Sequence, residues 1–185
     1  MQWTIDPTHS QAEFAIRHMF TTVHGHIVVA EGTVQTDEDD LTKSAIWARL
    51  DPSSINTGVS MRDDHLRSAD FFDVERHPEI CFRSSQVRRT VDNEFLVTGL
   101  LDIHGVTRPI TLEARALGDA VDHRGDRRAG FSARATLNRK DFGLRWNQAL
   151  EAGGLLVGDE VDINLEIEAV LEVETALPEA ADKAA

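Results

Sequence analysis

A single cysteine, Cys81, leaves this chain without an intramolecular disulfide, and no second Cys stands at metal-binding spacing. It reads as a small core or barrel-wall residue, and nothing calls for an oxidising compartment. Basic residues are also scarce: Lys and Arg total 19 against 32 Asp and Glu, a formal net charge of -13. That balance repels nucleic acid and anionic surfaces at long range, so no nucleic-acid partner is expected. It leaves open an uncharged or lipid ligand held inside the fold. No run approaches the ~20 consecutive apolar residues of a membrane-spanning helix. The start, Met1-Gln2-Trp3-Thr4-Ile5-Asp6, lacks the basic, apolar and small-residue regions of a secretory leader. The expected location is therefore cytoplasmic; a periplasmic or secreted site would require that a leader had been removed. Also absent are a nucleophile elbow, a phosphate-cradling glycine loop and a zinc signature.

What is present is a period of two almost everywhere. From Val161 to Val173, apolar residues alternate with Asp162, Asn164, Glu166, Glu168, Glu172 and Glu174, and only Val170 breaks the polar face. Phe131, Ala133, Ala135 and Leu137 repeat the pattern, as do Ile110, Leu112, Ala114 and Ala116. Ala12, Phe14, Ile16 and His18 share another face. Between Ile27 and Val34 the apolar face changes sides near Gly32, which predicts a bulge or sharp bend. Residues 44–50, 79–87 and 94–104 complete the strand count, and the last is apolar on both faces, as if covered outside. A helix is predicted over 58–69, capped by Asn56 or Thr57 and carrying an Asp63–Arg67 pair. Short turns are predicted over 70–75 and 146–152.

Eight or so strands in hairpin order give a sandwich or a barrel. Small residues such as Ala114, Ala133 and Gly99 recur on the apolar faces, which favours a barrel with room for one ligand. Residues 1–174 read as one domain, and 175–185 (TALPEAADKAA) as a tail expected to fray.

Several segments then become recognisable in order: Trp3-Thr4-Ile5-Asp6-Pro7-Thr8-His9-Ser10, Phe14-Ala15-Ile16-Arg17-His18-Met19, and Glu31-Gly32-Thr33-Val34. The most specific runs from Arg62 through Asp70-Phe71-Phe72-Asp73-Val74 to His77-Pro78. Val97 to Leu101, Ile103 to Ile110, Asn138 to Leu144 and Val157 to Val161 follow. In these the chain resembles the YceI family, the polyisoprenoid-binding, lipocalin-like barrels. The resemblance implies an all-β, eight-stranded antiparallel barrel with short helices in the crossings. It also implies a tunnel for a long isoprenoid or quinone-like lipid. Family members are often exported through a leader that this sequence does not show.

Candidate lining residues are Phe14, Ile16, His18, Phe82, Phe95, Val97, Leu101, Ile103, Leu112, Phe131 and Leu165, since apolar burial alone holds a lipid tail at ~25 cal/mol per Å2. A polar head group needs local positive charge, for which Arg62, Arg67 and Arg145 are candidates, beside Trp146 and Asn147 at the mouth. Arg139 and Lys140 stand nearby. His24 and His26 are read as surface imidazoles, His104 as a turn residue, and no metal site, cofactor or catalytic group is assigned. Two other readings predict different things. An enzyme acting on an isoprenoid lipid would use a buried titratable group such as His18 or His65. A homodimeric interaction module would have a filled core.

Overall fold

In a computed structural model, which describes residues 1–151 and 154–172, the alternating segments become nine antiparallel strands. They are β1 (Gln2–Ile5), β2 (Gln11–His18), β3 (Thr21–Gln35), β4 (Ala45–Asn56), β5 (Ile80–Val91), β6 (Glu94–Ile103), β7 (Val106–Val121), β8 (Arg127–Asn138) and β9 (Val157–Leu171). From β2 onward each strand pairs with the next in sequence, and β9 returns to pair with β2. The sheet thus closes as an up-and-down barrel with no free edge. β1 does not add a ninth stave. It pairs with β3 and β9 beyond the stretch that β2 uses, so β1 and β2 are two halves of one stave. Eight staves result.

The interruption between those halves is pinned by charge. The Asp6 N–H and the Ser10 hydroxyl both donate to the Glu168 carbonyl. Arg128 donates to Asp6 (2.8 Å), Glu168 (2.6 Å) and Asp122 (2.7 Å). Arg128, and then His9, hold the Asp6 carboxyl well below the usual range, and Arg128 holds Asp122 near a pKa of about 2. Lowered folded-state values stabilise above the unfolded pKa, 3.8, and that contribution is lost as pH falls through the folded value. Arg128→Met is therefore expected to melt lower than the native chain at pH 7. The gap should narrow as the pH is taken from about 4 toward 2. A gap that stays constant in thermal melts over that range would mean the network contributes nothing.

Period two decides which faces turn inward. Phe14 and Ile16 on β2, Phe95, Val97, Leu101 and Ile103 on β6, and Phe131, Ala133 and Ala135 on β8 all face the lumen. On β3 the inward set passes from Ile27 and Val29 to Val34, with Thr36 just beyond the strand. The register shift that does this lies between Val29 and Glu31, just before the Gly32 position read from sequence. Two aromatic rings lie against the wall rather than across the lumen, because glycine makes room for them. A Cβ on Gly25 would stand 2.5 Å from the Phe14 ring, and one on Gly99 would stand 2.6 Å from Phe82. On β6 the outer Leu100 is 51 % exposed, so the expected outer cover is not there among the described residues.

β4 and β5 pair only from Trp47 opposite Arg83 to Leu50 opposite Ile80, and then part. Helix α1 (Ser60–Arg67) lies in the crossing between them. Its first residue follows Val59, whose side chain caps nothing. The Asp63 side chain instead ties the helix to the segment before it, accepting from the Thr57 N–H and hydroxyl, and is buried. Arg67 pairs with Asp64, not with Asp63. A short 3-10 turn, Arg139–Phe142, opens the β8–β9 connection. Residues 146–150 beyond it form no helical turn, and Ala149 bridges to Leu155. The proposed tail, 175–185, lies outside the described residues. Among the described residues, no helix is long and apolar enough to cross a membrane.

Candidate functional site

The inward faces enclose a cavity of about 640 Å3. That is within the roughly 300–1,000 Å3 of typical small-molecule sites. Beside the cavity a packed cluster forms around Trp3, 3 % exposed, whose indole N–H donates to Thr36 Oγ1 at 3.0 Å. The lumen is lined almost wholly by carbon from every stave. Val59, Met61, Leu66, Phe71 and Phe72 of the crossing segment close one end. Val59 and Met61 are themselves 48 % and 83 % exposed, which marks them as the rim of an opening. A filled core, the premise of the interaction-module reading, is not what the barrel contains.

Of the residues singled out from sequence, Phe14, Ile16, His18, Phe82, Phe95, Val97, Leu101, Ile103, Leu112, Phe131 and Leu165 all line this cavity. Arg62 and Trp146 line it as well. Trp146 packs at the opening with its ring centroid 4.6 Å from His65 and 5.3 Å from Phe71. His65 Nε2 lies 2.9 Å from Asp70 Oδ2. Arg62 is anchored by Nε to Thr57 Oγ1 (2.7 Å) and Nη2 to Thr57 O (2.9 Å).

Three of the candidates do other work. Arg67 donates to the carbonyls of Ser53 (2.7 Å) and Ile55 (2.9 Å), clamping α1 to β4 outside the lining. Asn147 donates to the Val157 carbonyl at 2.7 Å and accepts from its N–H, as a strand neighbour would. Arg145 is exposed and outside the lining. Arg139, also considered for the rim, is 3 % exposed and spends its donors on three backbone carbonyls. Burial pushes its pKa down, while Asp159 opposes that shift. His24 and His26 are exposed on the outer face. The cavity residues that sequence reading missed are chiefly Val59, Met61, Leu66, Phe71 and Phe72. Leu66, Phe71 and Phe72 belong to the recognised motif and carried a signal; Val59 and Met61 had none without the crossing's path.

Barrel, crossing helix and apolar lumen together define a ligand-binding barrel of the lipocalin-like kind. The chain belongs to the YceI family: the sequence profile of the YceI-like domain matches residues 3–169. A UPF0312 protein of Pectobacterium atrosepticum is 35 % identical over 137 residues, covering 74 % of this chain and 71 % of the relative. Protein YceI of Escherichia coli O157:H7 is 32 % identical over 163 residues, covering 88 % and 82 %. Among solved structures, Burkholderia cenocepacia BcnA superposes with a TM-score of 0.75 at 20 % identity, over 89 % of this chain and 98 % of that one. A polyisoprenoid binding domain from Saccharophagus degradans gives 0.66 at 18 % identity, over 92 % and 98 %. At these identities the two structures establish the shared fold.

Proposed function

We propose that the protein binds a long apolar lipid, with an isoprenoid or quinone-like chain, and carries or sequesters it without chemical change. The enclosed apolar cavity is the observation that carries this reading. Each methylene moved from water into such a lumen is worth about 0.8 kcal/mol, so a chain needs few directional contacts. The named activity of the Saccharophagus degradans domain supports the isoprenoid class. The chain enters past Met61 and Val59, and its head group rests at the rim beside Arg62, His65 and Trp146.

Native mass spectrometry of freshly purified protein, with organic extraction of the sample, tests this directly. An adduct with the mass of an isoprenoid, quinone or related lipid is expected. Protein that stays free of lipid, and takes up none of these when offered them, would remove the carrier reading.

A further inference from the structure

Three side chains converge outside the lumen, just behind its end wall. Asp73, His77 and His104 each offer one ligand atom, and these atoms all lie within 4.8 Å of one another. The two imidazoles stand 4.5 Å apart between centroids. All three residues are partly buried. Among the described residues, the ionic neighbour of Asp73 is Arg76, at 3.7 Å, through a side chain that is 81 % exposed. No hydrogen bond within the described residues occupies either ring or the carboxylate.

Backbone geometry aims these groups at some conformational cost. Among the described residues, Asp73 and His104 are two of three non-glycine residues with positive φ, at 46° and 55°. Asp73 sits in the turn after α1, and its carbonyl accepts the His77 N–H at 2.8 Å, placing both side chains on one side. His104 and Gly105 form the two-residue turn between β6 and β7, where both φ values are positive. Asn or Asp is the usual first residue of such a turn, and here an imidazole takes its place. Gly105 lets the His77 ring lie on the hairpin, since a Cβ there would stand 2.8 Å from His77 Cε1.

We propose that Asp73, His77 and His104 bind a divalent transition-metal cation of the zinc type. Two imidazoles and a carboxylate are a three-ligand set that leaves a fourth, open position for water. Tetrahedral bonds of roughly 2.0–2.1 Å put ligand atoms about 3.4 Å apart, so small rotamer adjustments bring the three atoms into place. Phe72 and Ile103, the chain neighbours of Asp73 and His104, line the cavity. A bound ion therefore ties the crossing segment to the β6–β7 hairpin at the end of the lumen that the crossing segment covers. The other convergence of such groups, Asp6, His9 and Glu168, differs, because Arg128 already holds both of its carboxylates.

Titration of the full chain with Co2+, followed by its visible absorption, and competition by Zn2+ provide the test. One equivalent is expected to bind with a tetrahedral spectrum. Since losing even an outer partner of a metal ligand costs about 10- to 100-fold, His104→Asn and His77→Gln should each weaken binding by at least about 100-fold. His104→Asn suits the turn's positive φ, so its metal-free melt should match the native chain. His9→Gln should leave binding unchanged. Zn2+ should raise the Tm of the native chain but not of His104→Asn. No binding tighter than about 100 µM, or binding untouched by both histidine substitutions, would overturn the site.

Discussion

Arg139→Met is expected to cost about 3–5 kcal/mol of stability, the usual range for breaking one side of a buried charge arrangement. The guanidinium donates from Nε to the Gly158 carbonyl (2.7 Å) and from Nη1 to those of Leu144 (2.6 Å) and Trp146 (2.9 Å). Its Nη2 lies 3.7 Å from Asp159 Oδ1, and neither atom has a hydrogen-bond partner among the described residues. Methionine matches the stem but strands three carbonyls and leaves Asp159 with Lys140 alone. Arg139→Lys should fall between the two, because one ammonium cannot span the same fork of acceptors. Urea unfolding gives the number, and a loss under about 1 kcal/mol would show that the clamp is dispensable. Because the same side chain holds the segment carrying Trp146, the variant should also loosen the packing of that ring on His65 and Phe71.

Ala133→Trp should remove lipid uptake while leaving the barrel at least as stable. Ala133 faces the lumen between Ala114 on β7 and Leu165 on β9, so an indole there enters open space. Displacing three chain methylenes forfeits roughly 2.4 kcal/mol, or about 60-fold in affinity. A packed core would respond oppositely, with overpacking costing about 1–3 kcal/mol. Binding of a fluorescent isoprenoid analogue and a thermal melt of the same sample separate the cases. Unchanged binding with a depressed Tm would mean that this part of the lumen is core, not site.

Much of the wall was readable because period two is enforced wherever one face is dry. β8 and β9 alternate so cleanly that their inward residues follow from the sequence alone. β6 does not, since Leu96 and Leu100 sit opposite Phe95, Val97 and Leu101, and only the register with β5 and β7 shows which set faces the lumen. β1 is not legible as a strand because four residues show too few alternations, and one of its two partners, β9, is at the far end of the chain. The short helical turn expected over 146–152 is absent from 146–150 for a related reason. Asn147 bonds both backbone groups of Val157, which holds that segment to β9 where local propensity pointed to a turn. Arg67 and Arg139 looked like rim cations because their composition allows it. Their acceptors are carbonyls from separate turns or strands, which no local pattern reveals.

The shared stave has a consequence for how the chain reaches its native state. Trp3 pairs opposite Leu171, and Phe14 opposite Ile163, so the barrel's closing ladder joins the first strands to the last. Contacts this distant in sequence slow folding, because loop entropy is lost before they form. During synthesis, β2 and β3 emerge with their lumen faces bare and wait for β9. Until then the open sheet has two edges that can recruit other chains. A chain stopped before Val157 would keep seven staves and still fail to close, and its fate would be aggregation rather than a smaller barrel.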